Sequence, residues 1–424
     1  MKKIFLFTLL ILIAFTSCNR QRNPKLTKLA ALVEENLYQN IVPFWVNHAV
    51  DNINGGFFGQ VDSMGVGNPE ASKGVILNAR ILWTFSSLYL KDKDAKSLEM
   101  ARRAYEYVIA HFIDHEYGGA YYTVDNKGNV MADTKNTYGN AFVLYGLSEY
   151  HRATGDPKAL EYAIGVFTAL DNHVHDAEYG GYLDGSYLRD WSPVPPRGNF
   201  GQGARQSMGQ GKSMNTSLHV MEALANLYRV WKSPLLESRL QEMIVIFLDK
   251  VINPETHLQN YTFAQDWTNR SNTKSYGHDI ECSWLLLESA EILGKHDLIE
   301  RAKVACIAMA ETVAKEAFYP NGRMIYDVRG DEEPSPFVQW WAQAEAVVGC
   351  VNAWQLSGDE VWLDRALLVW KFTDDTFVDH KYGEWYYDID RNDVLRTGAL
   401  KADAWKCPYH NGRMCMEVIH RAQN

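Results

Sequence analysis

Gly118-Gly-Ala-Tyr-Tyr-Thr-Val-Asp125 belongs to a set of glycine- and aromatic-rich segments whose spacing decides how this chain folds. The others are Gly55-Gly-Phe-Phe-Gly-Gln-Val-Asp62, Gly180-Gly-Tyr-Leu-Asp184, Gly322-Arg-Met-Ile-Tyr-Asp327 and Gly383-Glu-Trp-Tyr-Tyr-Asp388, with a degenerate copy at His257-Leu-Gln-Asn-Tyr-Thr-Phe263. Successive starts lie 63, 62, 77, 65 and 61 residues apart, which is an internal repeat of six units. The long interval carries a Gly/Arg/Pro-rich insertion from Ser192 to Lys212.

Each glycine segment is flanked by stretches of helical periodicity, among them Leu26 to His48, Gly74 to Leu90, Leu98 to Phe112, Tyr138 to Arg152, Ala159 to His173 and Asn215 to Trp231. The glycine segments themselves read as short β-hairpins or extended turns. Continued to Val418, the pattern gives about twelve helices in six pairs. Stacked helix pairs bury a shared core only through their neighbours, and six pairs can close into an all-α (α/α)6 barrel. An open solenoid is the alternative. The terminal units show no polar capping face, which favours closure.

Met1-Lys2-Lys3, an apolar run from Ile4 to Phe15, and Thr16-Ser17-Cys18 read as a bacterial lipoprotein signal cleaved before a lipidated Cys18. The expected organisation is therefore a signal peptide at 1–17, a linker at 18–25 and one catalytic domain at 26–424, anchored in the bacterial cell envelope and facing the periplasm. No other segment is long and apolar enough to cross a membrane. The net charge of −10, without any basic block, excludes nucleic acid as a partner. Cys282, Cys306, Cys350, Cys407 and Cys415 match neither a zinc ribbon nor a disulfide framework and read as small buried hydrophobes.

Counted from the start of each glycine segment, Arg80, Tyr138, His219, His278, Trp341 and His410 fall 25, 20, 39, 21, 19 and 27 residues on. Apart from the unit with the insertion, each unit sets one polar or aromatic residue at the same depth, near the start of the following helix. In a closed ring those helix starts meet at one mouth. Asn215 shares a helix face with His219 at i,i+4, and Glu281 stands at i,i+3 from His278, placed to orient that imidazole. The remaining histidines lack this register and read as surface or loop residues. Arg80 opens an otherwise apolar helix, where a guanidinium is costly to bury without an anion; a structural ion pair or a charged substrate oxygen would each satisfy it. Lys73, Lys406 and Arg413 are weaker candidates. Aromatic rings at Trp340, Trp341, Trp405, Tyr409 and Trp267 offer flat faces suited to a sugar, though adjacent Trp340 and Trp341 cannot both turn fully into one cleft. Trp83, Trp284, Trp354 and Trp370 read as core.

These motifs resemble the N-acylglucosamine 2-epimerase superfamily, most closely its cellobiose (or mannobiose) 2-epimerases. The resemblance rests on Leu77-Asn-Ala-Arg80-Ile-Leu-Trp-Thr-Phe85, Asn215-Thr-Ser-Leu-His219, Gly277-His278-Asp-Ile-Glu281, Trp340-Trp341-Ala-Gln-Ala-Glu345 and Trp405-Lys-Cys-Pro-Tyr-His410, and runs from about Leu26 to Ile419. Ala342 stands where the family usually has proline. The resemblance implies an (α/α)6 barrel and epimerisation at C2 of the reducing-end glucose or mannose of a β-1,4-linked disaccharide, without cofactor or metal. It implies His278 and His410 as the acid–base pair, His219 in ring opening, and Glu281 in support of His278. Arg80, Tyr138, Asn215 and Glu345 would bind substrate, and Trp341 and Trp405 would stack on it. Inverting C2 of an aldose removes a proton α to the carbonyl and returns one on the other face, so two bases serve better than one. Arg80 and Tyr138 would steady the enediolate.

Three other chemistries fit the same residues. An inverting glycoside hydrolase would pair carboxylates from Glu281, Glu345, Asp279 and Asp403 across the cleft. A zinc site would gather the three histidines and a glutamate. A noncatalytic lipoprotein would only hold the sugar.

Overall fold

The computed structural model describes residues 23–194, 211–396 and 398–423. The signal peptide at 1–17, Cys18 and most of the linker and insertion lie outside the described residues.

The periodic stretches become twelve helical rods in two rings. The first rod is α1 (Pro24–Asn36), a π-helical turn (Leu37–Ile41) and α2 (Val42–His48). The sequence predicts one unbroken helix there, but Pro43 has no N–H to give and the ladder widens at the turn before it. Then follow α3 (Val75–Asp92), α4 (Ala95–His111), α5 (Thr137–Thr154), α6 (Pro157–His173), α7 (Met214–Val230), α8 (Pro234–Ile246, ending in a second π turn), α9 (Tyr276–Leu293), α10 (His296–Glu316), α11 (Trp340–Ser357), α12 (Val361–Thr376) and α13 (Tyr409–Gln423).

Composition sorts the rods into layers. In α11 every residue from Trp340 to Ala353 is buried, whereas α4 buries only Ser97, Met100, Ala101, Ala104, Tyr107 and Val108, a stripe of i,i+3/i+4 spacing. A helix apolar all round must be covered on all sides, and an amphipathic one faces water. Accordingly α3, α5, α7, α9, α11 and α13 pack in that order as an inner ring, and α13 returns to α3. The even-numbered rods and α1 form the outer ring. The barrel is closed, and α1 from the chain start is the outer partner of α13 from its end.

Short antiparallel strands sit at the mouth formed by the inner-helix N-termini. β1 (Lys73–Gly74) pairs with β2 (Thr123–Val124), which also takes β3 (Val130–Ala132); β4 (Lys135–Asn136) pairs with β5 (Ser186–Tyr187), β6 (Gly211–Ser213) with β7 (Thr262–Ala264), β8 (Thr273–Lys274) with β9 (Val328–Arg329), and β10 (Phe337–Gln339) with β11 (Asp388–Asp390). Small hairpin bridges such as Ile113 to Ala120 close within a unit, but most pairs join each inner-helix entry to the glycine segment of the next unit. The Val61–Ala402 bridge links first and last units.

Buried ion pairs fix these entries. Lys73 donates to Asp51 at 2.8 Å and to the Gly55 carbonyl at 2.6 Å; Lys135–Asp114, Lys212–Asp176 and Lys401–Asp379 repeat the ion pair, and Lys212 and Lys401 also donate to the Gly180 and Gly383 carbonyls. Lys73, a weak candidate for chemistry in the sequence, is thus a fixture of the fold. So is Trp267, expected among the sugar-facing aromatics: its ring covers Gly181, whose φ of 77° and lack of Cβ permit the approach, and its N–H donates to the Tyr179 carbonyl. The five cysteines beyond Cys18 are all buried and unpaired. Among the described residues, no helix is long and apolar enough to cross a membrane.

Candidate active site

Because each inner helix begins at the same mouth, the residues in shared register converge. Arg80, Tyr138, Asn215, His219, His278, Glu281, Trp340, Trp341, Trp405 and His410 line one cleft of about 160 Å³, together with Tyr326, Gln339 and Tyr387. The last three were not singled out in the sequence. Tyr326 and Tyr387 close the glycine segments that end Tyr-Asp, a signal that could have found them. Trp341 is central, its indole lying 4.7 Å from the His278 ring and 5.3 Å from that of His410. Trp340 lines the cleft too but packs on Tyr387 at 4.5 Å. Trp405 stands 43% exposed at the rim. The ten histidines outside the register are half-buried or exposed, as expected.

The three imidazoles are held differently. His219 Nδ1 meets Glu222 Oε2 at 2.9 Å, His410 Nδ1 meets Glu345 Oε1 at 2.7 Å, and His278 Nδ1 meets the Ser275 hydroxyl at 2.7 Å. In each ring Nε2 is left for the cleft. Burial pushes all three toward neutrality: His278 down to about 3, with His219 and Arg80 adding repulsion, and His219 down despite Glu222. His410 is lowered well below the ordinary histidine value by burial, Arg80 and Arg413.

Two expected roles are corrected. Glu281 does not support His278; its Oε1 accepts from Arg413 at 2.6 Å and lies 3.8 Å from His410 Nδ1, because its side chain runs toward the barrel axis. Glu345 is absent from the cleft lining and stands behind His410 instead of binding substrate. Arg413, a minor candidate by sequence, is central. It donates to Glu222, Tyr409, Glu281 and Glu345, all buried. Burial tends to raise the Glu222 carboxyl, yet Arg413, His219 and Tyr409 hold it at about 2. Burial and the neighbouring Glu345 push Glu281 well up, and burial raises Glu345 in spite of Arg413. The Glu281–Glu345 pair therefore holds a proton more readily than two free carboxylates do, with Glu281 the more strongly raised of the two.

Arg80 is 3% exposed and makes no carboxylate ion pair among the described residues. Its guanidinium donates to the Tyr138 hydroxyl at 2.8 Å and the Trp405 carbonyl at 3.3 Å, and lies 4.1 Å from the Phe142 ring. The structural ion pair considered for Arg80 is therefore not what holds it. A buried cation whose hydrogen-bond partners are a hydroxyl and a carbonyl, facing the cleft, favours a substrate oxygen that gains negative charge.

The carboxylates do not form a hydrolase pair. Asp279 accepts from Gln259, and Asp403 caps the Trp405 and Lys406 amides, leaving Glu281 as the acidic cleft-lining side chain. Glu281, Glu345 and His410 come close enough to share a metal. Arg413 already bonds both carboxylates, however, and a guanidinium cannot be deprotonated to make way for a cation. Cys407 is buried, which raises its thiol and leaves it a poor nucleophile.

The sequence model of the N-acylglucosamine 2-epimerase family matches residues 56–412. The chain belongs to that family. Within it, the cellobiose 2-epimerase of Bacteroides fragilis is 39% identical over 91% of this chain and 97% of its own, and that of Dictyoglomus turgidum is 34% identical over 93% and 98%. The solved cellobiose 2-epimerase of Bacillus thermoamylovorans superposes with a TM-score of 0.87 at 32% identity, covering 93% of this chain and all of the other. The family's barrel thus agrees with the ring inferred from the repeats.

Proposed function

We propose that this protein is a carbohydrate 2-epimerase that inverts C2 of the reducing-end glucose or mannose in β-1,4-linked disaccharides such as cellobiose and mannobiose. The observation that carries the reading is two neutral imidazoles, His278 and His410, packed against one indole in a cleft that also holds the unpaired Arg80. The family and its cellobiose 2-epimerase relatives support the substrate class. A cleft of about 160 Å³ is well below the roughly 300–1,000 Å³ of drug-sized sites, so it encloses one hexose and leaves the second to the rim at Trp405.

In this reading His219, backed by Glu222, moves the proton that opens the pyranose ring. One of His278 and His410 takes the C2 proton while the other delivers its replacement from the opposite face. The enediolate between these steps rests on Arg80 and Tyr138. Trp341 and Trp405 hold the sugar by stacking, and Asn215 takes a hydroxyl. No step calls for a cofactor.

Incubation of the mature protein with cellobiose should yield the glucosyl-mannose epimer with the disaccharide mass unchanged. Free monosaccharides would point to hydrolysis, and unaltered cellobiose would leave only sugar binding. We further propose that residues 1–18 deliver the enzyme to the cell envelope as a lipoprotein. Labelled palmitate should enter the wild type and not Cys18→Ser; equal labelling would refute the anchor.

A further inference from the structure

One guanidinium stands behind two of the three imidazoles. Arg413, 1% exposed and one helical turn below His410 on α13, gives Nη1 to Glu222, and Glu222 orients His219. It gives Nη2 to Glu345 at 2.7 Å, and Glu345 orients His410. His278 lies outside this arrangement, on Ser275. We propose that Arg413 is the positioning residue of the site, a single fork that sets, through Glu222 and Glu345, the tautomer and orientation of both His219 and His410. This rests on the epimerase reading above.

The chemistry follows from the donor inventory. Each ionised carboxylate accepts a hydrogen bond, so Nδ1 of the imidazole in front of it must carry the proton, and Nε2 faces the cleft as the free base. Three carboxylates converge here, and without a buried cation they would take up protons or spread apart. A planar fork reaches two acids at once; a lysine ammonium at the same place is a point charge and does not.

A second cavity makes the idea testable without rebuilding the cleft. At the C-terminal ends of the inner helices lies a space of about 930 Å³, lined by Arg413 and Glu222 with Trp83, Trp284, Asn226 and Glu288. Arg413 Nε has no hydrogen-bond partner among the described residues. Small cations thus have a route to the guanidinium position from the side away from the sugar.

The experiment uses the whole enzyme with cellobiose and measures kcat, KM and melting temperature. Arg413→Ala should lose about 10–100-fold in kcat with KM within about threefold of wild type, the effect of removing a group that orients a catalytic ligand. Methylguanidinium at millimolar concentration should restore kcat, and methylammonium should not. A folded Arg413→Ala with wild-type kcat overturns the proposal, as does a loss that neither cation changes. If Arg413→Ala does not fold, Glu222→Gln decides. Its amide presents an N–H to His219 Nδ1 and forces the other tautomer, so kcat should fall about 10–100-fold with KM little changed; unchanged kcat overturns the fork. A wild type that does not epimerise cellobiose would instead sink the epimerase reading, whatever the variants do.

Discussion

His278 and His410 differ in what stands behind them, a hydroxyl in one case and a carboxylate in the other, yet burial keeps both neutral. His278→Ala and His410→Ala should each cut kcat by about 10²–10⁴-fold with the far-UV circular dichroism unchanged, as expected for lost acid–base groups; near-normal turnover in either would remove the two-base scheme. The depressed pKa of His278 also links folding to pH. The folded state binds its proton only near pH 3, whereas the unfolded chain binds it below about 6.5, so its share of stability is complete above that value and falls as pH drops. Below about pH 6.5 the wild type should lose about 1 kcal/mol per pH unit relative to His278→Gln, read from urea unfolding between pH 7 and 5. Parallel curves would contradict the buried neutral ring. At this scale the sequence told which residues meet, through their register, but not how they connect. His219–Glu222 and His278–Glu281 share i,i+3 spacing, and only the first is a hydrogen bond, because Arg413 on a helix remote in sequence draws Glu281 toward the axis. A further signal was present: Glu222, Glu281, Glu345 and Arg413 each lie three or four residues after a mouth residue, on the same helix face.

Among the elements, the glycine segments carry a second repeat. An aspartate four residues ahead of the first glycine receives the buried lysine that precedes the inner helix, at Asp51–Lys73, Asp114–Lys135, Asp176–Lys212 and Asp379–Lys401. The pair ties a turn to the segment that leads into the inner helix and so helps fix how that helix presents its first residues to the cleft. Lys73→Met should cost about 3–5 kcal/mol in urea unfolding, since it strands Asp51 away from water; a loss under 1 kcal/mol would show that the pair is dispensable. In sequence Lys73 was only a weaker candidate for chemistry, for burial of a charge is visible only once its partner is placed. Strand pairing between units was hidden for the same reason: two- and three-residue strands have too little alternation to read.

For the whole molecule, the five intervals between six glycine-rich segments were enough to give the ring, because units that bury their faces only against neighbours must either cap or close. Not legible was that closure splits one unit between the chain ends, with α1 covering α13. Removing residues 24–48 should therefore expose the helix that bears His410 and abolish cooperative melting; a sharp, near-wild-type transition would argue that the ring does not depend on its first rod. Closure matters because it sets the imidazoles of α7, α9 and α13 around a single opening. The decisive measurement is to turn over cellobiose in heavy water and locate deuterium by NMR. Deuterium at C2 of the reducing-end sugar, in the new mannose epimer, is the predicted result; an epimer formed without any solvent label at C2 would contradict proton exchange through the histidines.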